Sequence, residues 1–84
     1  MTASFNTAEM RALTNWLKQI RKSKHLTLRA LAERMEKPHS FVQKVEQGER
    51  RLDVVEFVWY CGILGVNPKD GIDLIESVIT EQEH

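Results

Sequence analysis

Apolar residues in this chain recur every three or four positions, in five runs separated by turn-forming residues, and no segment shows the strict alternation of a half-buried strand. In the first run, Met10, Leu13, Leu17 and Ile20 share one helical face. Asn6 ahead of it is a good N-cap, Glu9 can complete a capping box, and Phe5 and Met10 stand at hydrophobic-staple positions, so a helix is expected to open at Asn6. Lys22 and Lys24 suit its C-terminal end. A second helix, capped by Thr27, turns Leu28, Leu31, Ala32 and Met35 inward. Glu36 and Lys37 form the turn after it. Pro38 disfavours a helical Lys37 and opens a third helix over Pro38–Gln47, with Phe41, Val42 and Val45 inward and Gly48 as its stop.

The fourth helix has the clearest start. Asp53 is the N-cap, Glu56 the capping-box partner, and Leu52 and Phe57 the staple. Leu64-Gly65-Val66 reads as a glycine-terminated end, and Asn67-Pro68 caps and opens a fifth helix bearing Ile72, Ile75, Val78 and Ile79. Residues 80–84 form a charged tail expected to fray, as are residues 1–5. The expected fold is all-α: five short helices in one compact bundle, a single domain over residues 1–84.

Length and composition agree. Eighty-four residues suit one modest core, and 42% hydrophobic with 29% charged residues is an ordinary globular balance. No apolar run approaches the roughly 20 residues of a membrane span, and MTASFNTAEM lacks the basic-then-apolar pattern of a secretion signal, so a cytoplasmic protein without membrane contact is expected. Cys61, the only cysteine, stands in an apolar segment and reads as a buried thiol.

Charge changes the picture more. The formal net charge is +0, but it is segregated. Arg11–Arg51 holds eleven Lys or Arg against four Asp or Glu, and Leu52–His84 holds one Lys against seven acids. A basic first half can engage phosphates while an acidic second half faces away. Catalysis finds no support. His25, His39 and His84 have no metal-ligand spacing with Cys61, no glycine-rich phosphate loop is present, and no nucleophile has an evident base partner. Nothing calls for a cofactor or a metal.

The stretch Leu26–Gly48, LTLRALAERMEKPHSFVQKVEQG, is two short helices about a tight turn, the second with a polar, basic face. Such a helix can lie in a major groove. With the flanking pieces, residues 17–68 resemble the Cro and phage-repressor, or XRE, type of helix-turn-helix domain. The resemblance rests on Leu26-Thr27, Leu31-Ala32-Glu33-Arg34, Ser40-Phe41-Val42, Glu46-Gln47-Gly48-Glu49-Arg50 and Leu64-Gly65-Val66-Asn67-Pro68, in order and at the right spacing.

The resemblance implies a lambda-repressor-like fold and a regulator that binds double-stranded DNA as a homodimer. It implies base-reading positions at His39, Ser40, Gln43 and Lys44. The side chains fit: Gln pairs with adenine N6 and N7, Lys with guanine O6 and N7. It places backbone contacts at Thr27, Arg29, Gln47 and Arg50, and a structural ion pair between Arg21 and Glu46.

Two departures stand out. Leu28 replaces the Gln that supports the recognition helix in relatives, and Glu36 stands where the turn often has Gly. Val55, Trp59 and Ile63 add an apolar stripe beside the core-facing stripe of the fourth helix. A homodimer or partner surface could therefore involve Trp59 and Ile63, or Ile72, Ile75 and Ile79 of the fifth helix. The alternative function is a protein-interaction module, an antitoxin or adaptor that grips a protein partner.

Overall fold

The structure is a computed structural model describing residues 7–82; Phe5 and Asn6, expected to shape the first cap, lie outside the described residues. Five helices follow in order: α1 (Ala8–Ser23), α2 (Leu28–Met35), α3 (His39–Glu46), α4 (Val54–Leu64) and α5 (Pro68–Gln82). Helix α1 begins one residue later than the expected Asn6 cap requires. Thr7, in extended backbone, is the cap, and its hydroxyl accepts from the Met10 backbone N–H at 3.2 Å. A hydroxyl serves as well as an amide there. The shift leaves Glu9 in the first turn rather than in a capping box. Helix α3 is also shorter than expected, because Pro38 stands outside it as N-cap with ψ 150°. Helix α5 runs through Gln82, into the tail expected to fray, where the Gln82 amide reaches Glu9 of α1 at 3.4 Å.

The other caps follow their residues. The Thr27 hydroxyl accepts from Ala30, the Asp53–Glu56 capping box is complete in both directions, and Asn67 Oδ1 accepts from the Lys69 N–H at 2.9 Å. Four helix ends close in one way, by a residue in the left-handed region: His25 (φ 58°), Glu36 (φ 56°), Gly48 (φ 76°) and Gly65 (φ 78°). In each, the next residue's N–H reaches back to a carbonyl of the last turn, as in Leu26 to Arg21, Lys37 to Ala32, Glu49 to Lys44 and Val66 to Cys61. This ending satisfies carbonyls the helix cannot.

These turns bring the helices about one core. Leu13 and Leu17 of α1, Leu31 and Met35 of α2, Val42 and Val45 of α3, and Tyr60, Cys61 and Leu64 of α4 are buried. Helix α1 packs along both α5 and α3, while α4 touches α5 and α2. Burial pushes the Cys61 thiol up to about 11, so it packs as an inert apolar group. The Tyr60 hydroxyl is buried without a hydrogen-bond partner among the described residues, and desolvation raises its pKa.

Gly71 sets the approach of α5. A Cβ there would stand 2.8 Å from the Phe57 ring, 2.8 Å from the Trp16 ring and 3.3 Å from Leu13. Glu36 presents the opposite case, a side chain where the backbone favours none. Gly71→Ala should therefore lower unfolding stability by roughly 1–3 kcal/mol through overpacking, although alanine is the better helix former. Glu36→Gly should raise it by about 1 kcal/mol by relieving the left-handed turn. Urea denaturation of both variants checks these signs; a stabilised Gly71→Ala would show that α5 can shift outward at no cost.

Candidate nucleic-acid interface

The recognition segment is held from its buried side. Phe41, Val42 and Val45 anchor α3 in the core, so the intervening positions must face out. His39, Ser40, Gln43, Lys44 and Gln47 are all exposed. The structure thus brings the four expected base-reading side chains onto one open face of one helix, with Gln47 just past its end. Pro38 has no side-chain acceptor, so the first N–H groups of α3 have no side-chain cap. An uncapped N-terminus beside basic side chains suits a phosphate oxygen. Thr27 and Arg29 are exposed around the start of α2, with the Thr27 oxygen already accepting from Ala30.

The geometry of α3 depends on Arg21 and Glu46. Arg21 Nε stands 2.6 Å from Glu46 Oε2 and Nη2 stands 3.0 Å from Oε1, a bidentate pair between the last turn of α1 and the last residue of α3. Arg21 Nη1 donates to the Leu26 carbonyl at 2.6 Å. The two side chains retain 9% and 6% of their exposure, which makes each charge dependent on the other. Beside the pair lies a cleft of about 260 Å³ lined by Lys18, Arg21, Leu28, Gln43, Glu46 and Gln47. Leu28 borders it as an apolar wall, at the position where the resemblance implies a Gln amide. Leu28 also packs against the core, so its burial adds to the Thr27 cap in holding the start of α2.

Arg50 is more committed than its sequence position suggests. Its guanidinium meets Glu56 at 2.7 and 3.3 Å, donates to the Arg51 carbonyl, and lies 4.9 Å from the centre of the Phe41 ring. The ion pair raises the Arg50 pKa and lowers that of Glu56. The Arg50 side chain keeps 38% of its exposure. On the same cluster, the Lys37 ammonium stands 5.5 Å from the Phe41 ring centre and 5.9 Å from that of Trp59. Sequence reasoning missed Glu56 and Lys37 as members of this group. Glu56 already had a role as capping partner, and the six residues from Arg50 to Glu56 cross a loop that no helical periodicity registers.

The expected partner-surface residues separate. Trp59, Ile72 and Ile79 are exposed at 38, 46 and 37%, whereas Ile63 and Ile75 pack against the core. Among the described residues no helix is long and apolar enough to cross a membrane.

Comparison with known proteins agrees with this arrangement. Residues 17–70 match the helix-turn-helix family. An XRE-family-like protein from Pseudomonas syringae pv. tomato is 38% identical and superposes with a TM-score of 0.76 over 84% of this chain and 87% of its own. The clp gene regulator ClgR from Corynebacterium glutamicum, at 23% identity, shares the fold with a TM-score of 0.74 over 92% of this chain and 82% of its own. No curated protein sequence matches significantly. The chain belongs to the XRE, or Cro and phage-repressor, type of helix-turn-helix family, whose members are DNA-binding regulators.

Glu46→Ala should cost about 3 kcal/mol of stability, because it strands a buried guanidinium, and should change stability more than it changes the preferred DNA sequence. Thermal unfolding and sequence selection on the same variant separate the two effects. An unaltered melting temperature would mean that Arg21 finds water or another acceptor.

Proposed function

We propose that the protein is a sequence-specific DNA-binding transcription regulator, a repressor that acts as a homodimer on a palindromic operator. The observation that carries this reading is the open polar face of α3: His39, Ser40, Gln43 and Lys44 are exposed on a helix whose opposite side is locked into the core. In the major groove, Gln43 would read adenine and Lys44 guanine. Thr27, Arg29 and Gln47 would hold flanking phosphates, as would the exposed part of Arg50. One short helix reads few base pairs, so a second copy about one DNA turn away, ~34 Å, supplies the remaining affinity.

The basic half of the chain supports this assignment, since it holds all four base-reading positions and all four backbone positions. A second reading, an antitoxin or adaptor that grips a protein partner, draws support from the exposed Trp59 on α4. The two readings differ in whether DNA is bound specifically.

Selection of bound sequences from a random DNA pool at near-physiological salt should yield an inverted repeat with half-sites about one turn apart. Lys44→Ala should relax preference at one base position in each half-site. Arg50→Ala should weaken binding to all sequences alike and reduce the salt slope by about one. If both variants shift every sequence equally, Lys44 does not read a base. If the wild-type protein enriches no sequence, the interaction-module reading takes precedence.

A further inference from the structure

Helix α4 is apolar on both sides. Phe57, Tyr60, Cys61 and Leu64 fill the core, yet Val54 at 75% exposure, Val55 at 77%, Val58 at 48% and Trp59 at 38% stand on the outside. A helix hydrophobic all round normally has a partner on each side. Four large apolar side chains exposed together on one helix, rather than scattered singly, mark an interaction site on a small protein.

Gly62 lies within this outer face. It weakens a helix interior, and the fold gives it no use: an added Cβ would meet nothing within 4 Å, unlike at Gly71. An exposed glycine amid large apolar side chains becomes intelligible if another surface approaches the helix there.

We infer that the outer face of α4 pairs with the same face of a second copy of this chain, antiparallel about a two-fold axis near Val58. The face is self-complementary. Val54, Val58 and Gly62 form one row at four-residue spacing, the kind of ridge that helices interdigitate. With Val58 on the axis, the protruding Val54 of each copy meets the gap at Gly62 of the other, ~12 Å from end to end of the row. Isologous pairing requires this reciprocal arrangement.

Charge agrees. Glu56 is the only Asp, Glu, Lys or Arg in α4, and Arg50 neutralises it. Asp53 caps the N-terminal end, while the Lys24 ammonium would stand 3.3 Å from a Cβ at Gly65, the other end. Antiparallel pairing brings each copy's Asp53, with Arg51 beside it, toward the other's Lys24 end, so the carboxylate lies between cations of the two copies. Standard interfaces bury about 800 Å² per partner, so this smaller patch makes a weak dimer that DNA then stabilises.

The inference rests on the dimeric reading of the function and has its own test. Sedimentation equilibrium should show a concentration-dependent dimer. Val58→Asp should abolish it, with the monomer still folded because Val58 is exposed. Gly62→Ala should raise the melting temperature of the dilute monomer and weaken the dimer about tenfold; a glycine with no partner would give the first effect alone.

Under mild oxidation, Val58→Cys should give a disulfide-linked dimer and Ile79→Cys should not. Native Cys61 is buried and does not interfere. A protein monomeric at every concentration, a dimer indifferent to Val58→Asp, or linkage through Ile79→Cys in place of Val58→Cys overturns the inference. An inverted-repeat operator combined with linkage at Ile79 removes this interface alone, whereas selection of isolated half-sites removes the dimeric reading itself.

Discussion

The buried pair between Arg21 and Glu46 is the constraint on which the arrangement of this small protein turns. One guanidinium binds three parts of the chain: the last turn of α1 that carries it, the Leu26 carbonyl leading into α2, and the carboxylate that ends α3. Hydrophobic burial is itself non-directional, and side-chain interdigitation confines helix angles only to broad classes, so a directional contact is needed to fix the tilt of α3. A bidentate, charge-assisted pair specifies orientation. It acts at the C-terminal end of α3, while Phe41 anchors the N-terminal turn under the Arg50 and Lys37 cations. The exposed face of α3 is thus presented at a defined tilt by contacts at both ends.

Much of the fold was legible because the chain marks its helices with local chemistry. Thr27, the Asp53–Glu56 box and Asn67-Pro68 announce three helix starts, and Gly48 and Gly65 announce two ends. The sequence signal was ambiguous where chemistry is degenerate. Asn6 and Thr7 are both competent caps, and only the backbone of Thr7 decides between them. It was incomplete where a general residue occupies a special conformation. His25 and Glu36 close their helices in the left-handed region as the two glycines do, but neither side chain declares it, and only the resemblance raised the question at Glu36. These ends persist because the carbonyls they satisfy, and the core they align, outweigh about 1 kcal/mol of local strain at each.

The candidate site divides in the same way. The face of His39, Ser40, Gln43 and Lys44 follows from helical period once Phe41, Val42 and Val45 are known to face inward. The residues that tune it do not follow. Arg50 faces Glu56 across a loop, and Lys37 lies over two aromatic rings from different helices. Those contacts exist only after the chain has folded, so a reading from spacing could propose Arg50 for phosphate without seeing the carboxylate that competes for it. A phosphate arriving at Arg50 must share the guanidinium with Glu56, which makes that contact weaker than one from an unpaired arginine.

The two glycines inside helices show how far geometry can separate causes that look alike in sequence. Both cost helix stability relative to alanine. At Gly71 the compensation lies within the chain: α5 can approach α1 and α4 only where Phe57, Trp16 and Leu13 meet no Cβ. At Gly62 the same cost has no internal return, and Val55, Val58 and Trp59 of the same helix are exposed apolar side chains. A small domain has little stability to spare, so a weakened helix interior on an exposed apolar face is a poor arrangement for an isolated monomer. Its logic becomes apparent when the unit is two chains, with the surface that is unsatisfied in one copy completed by the other.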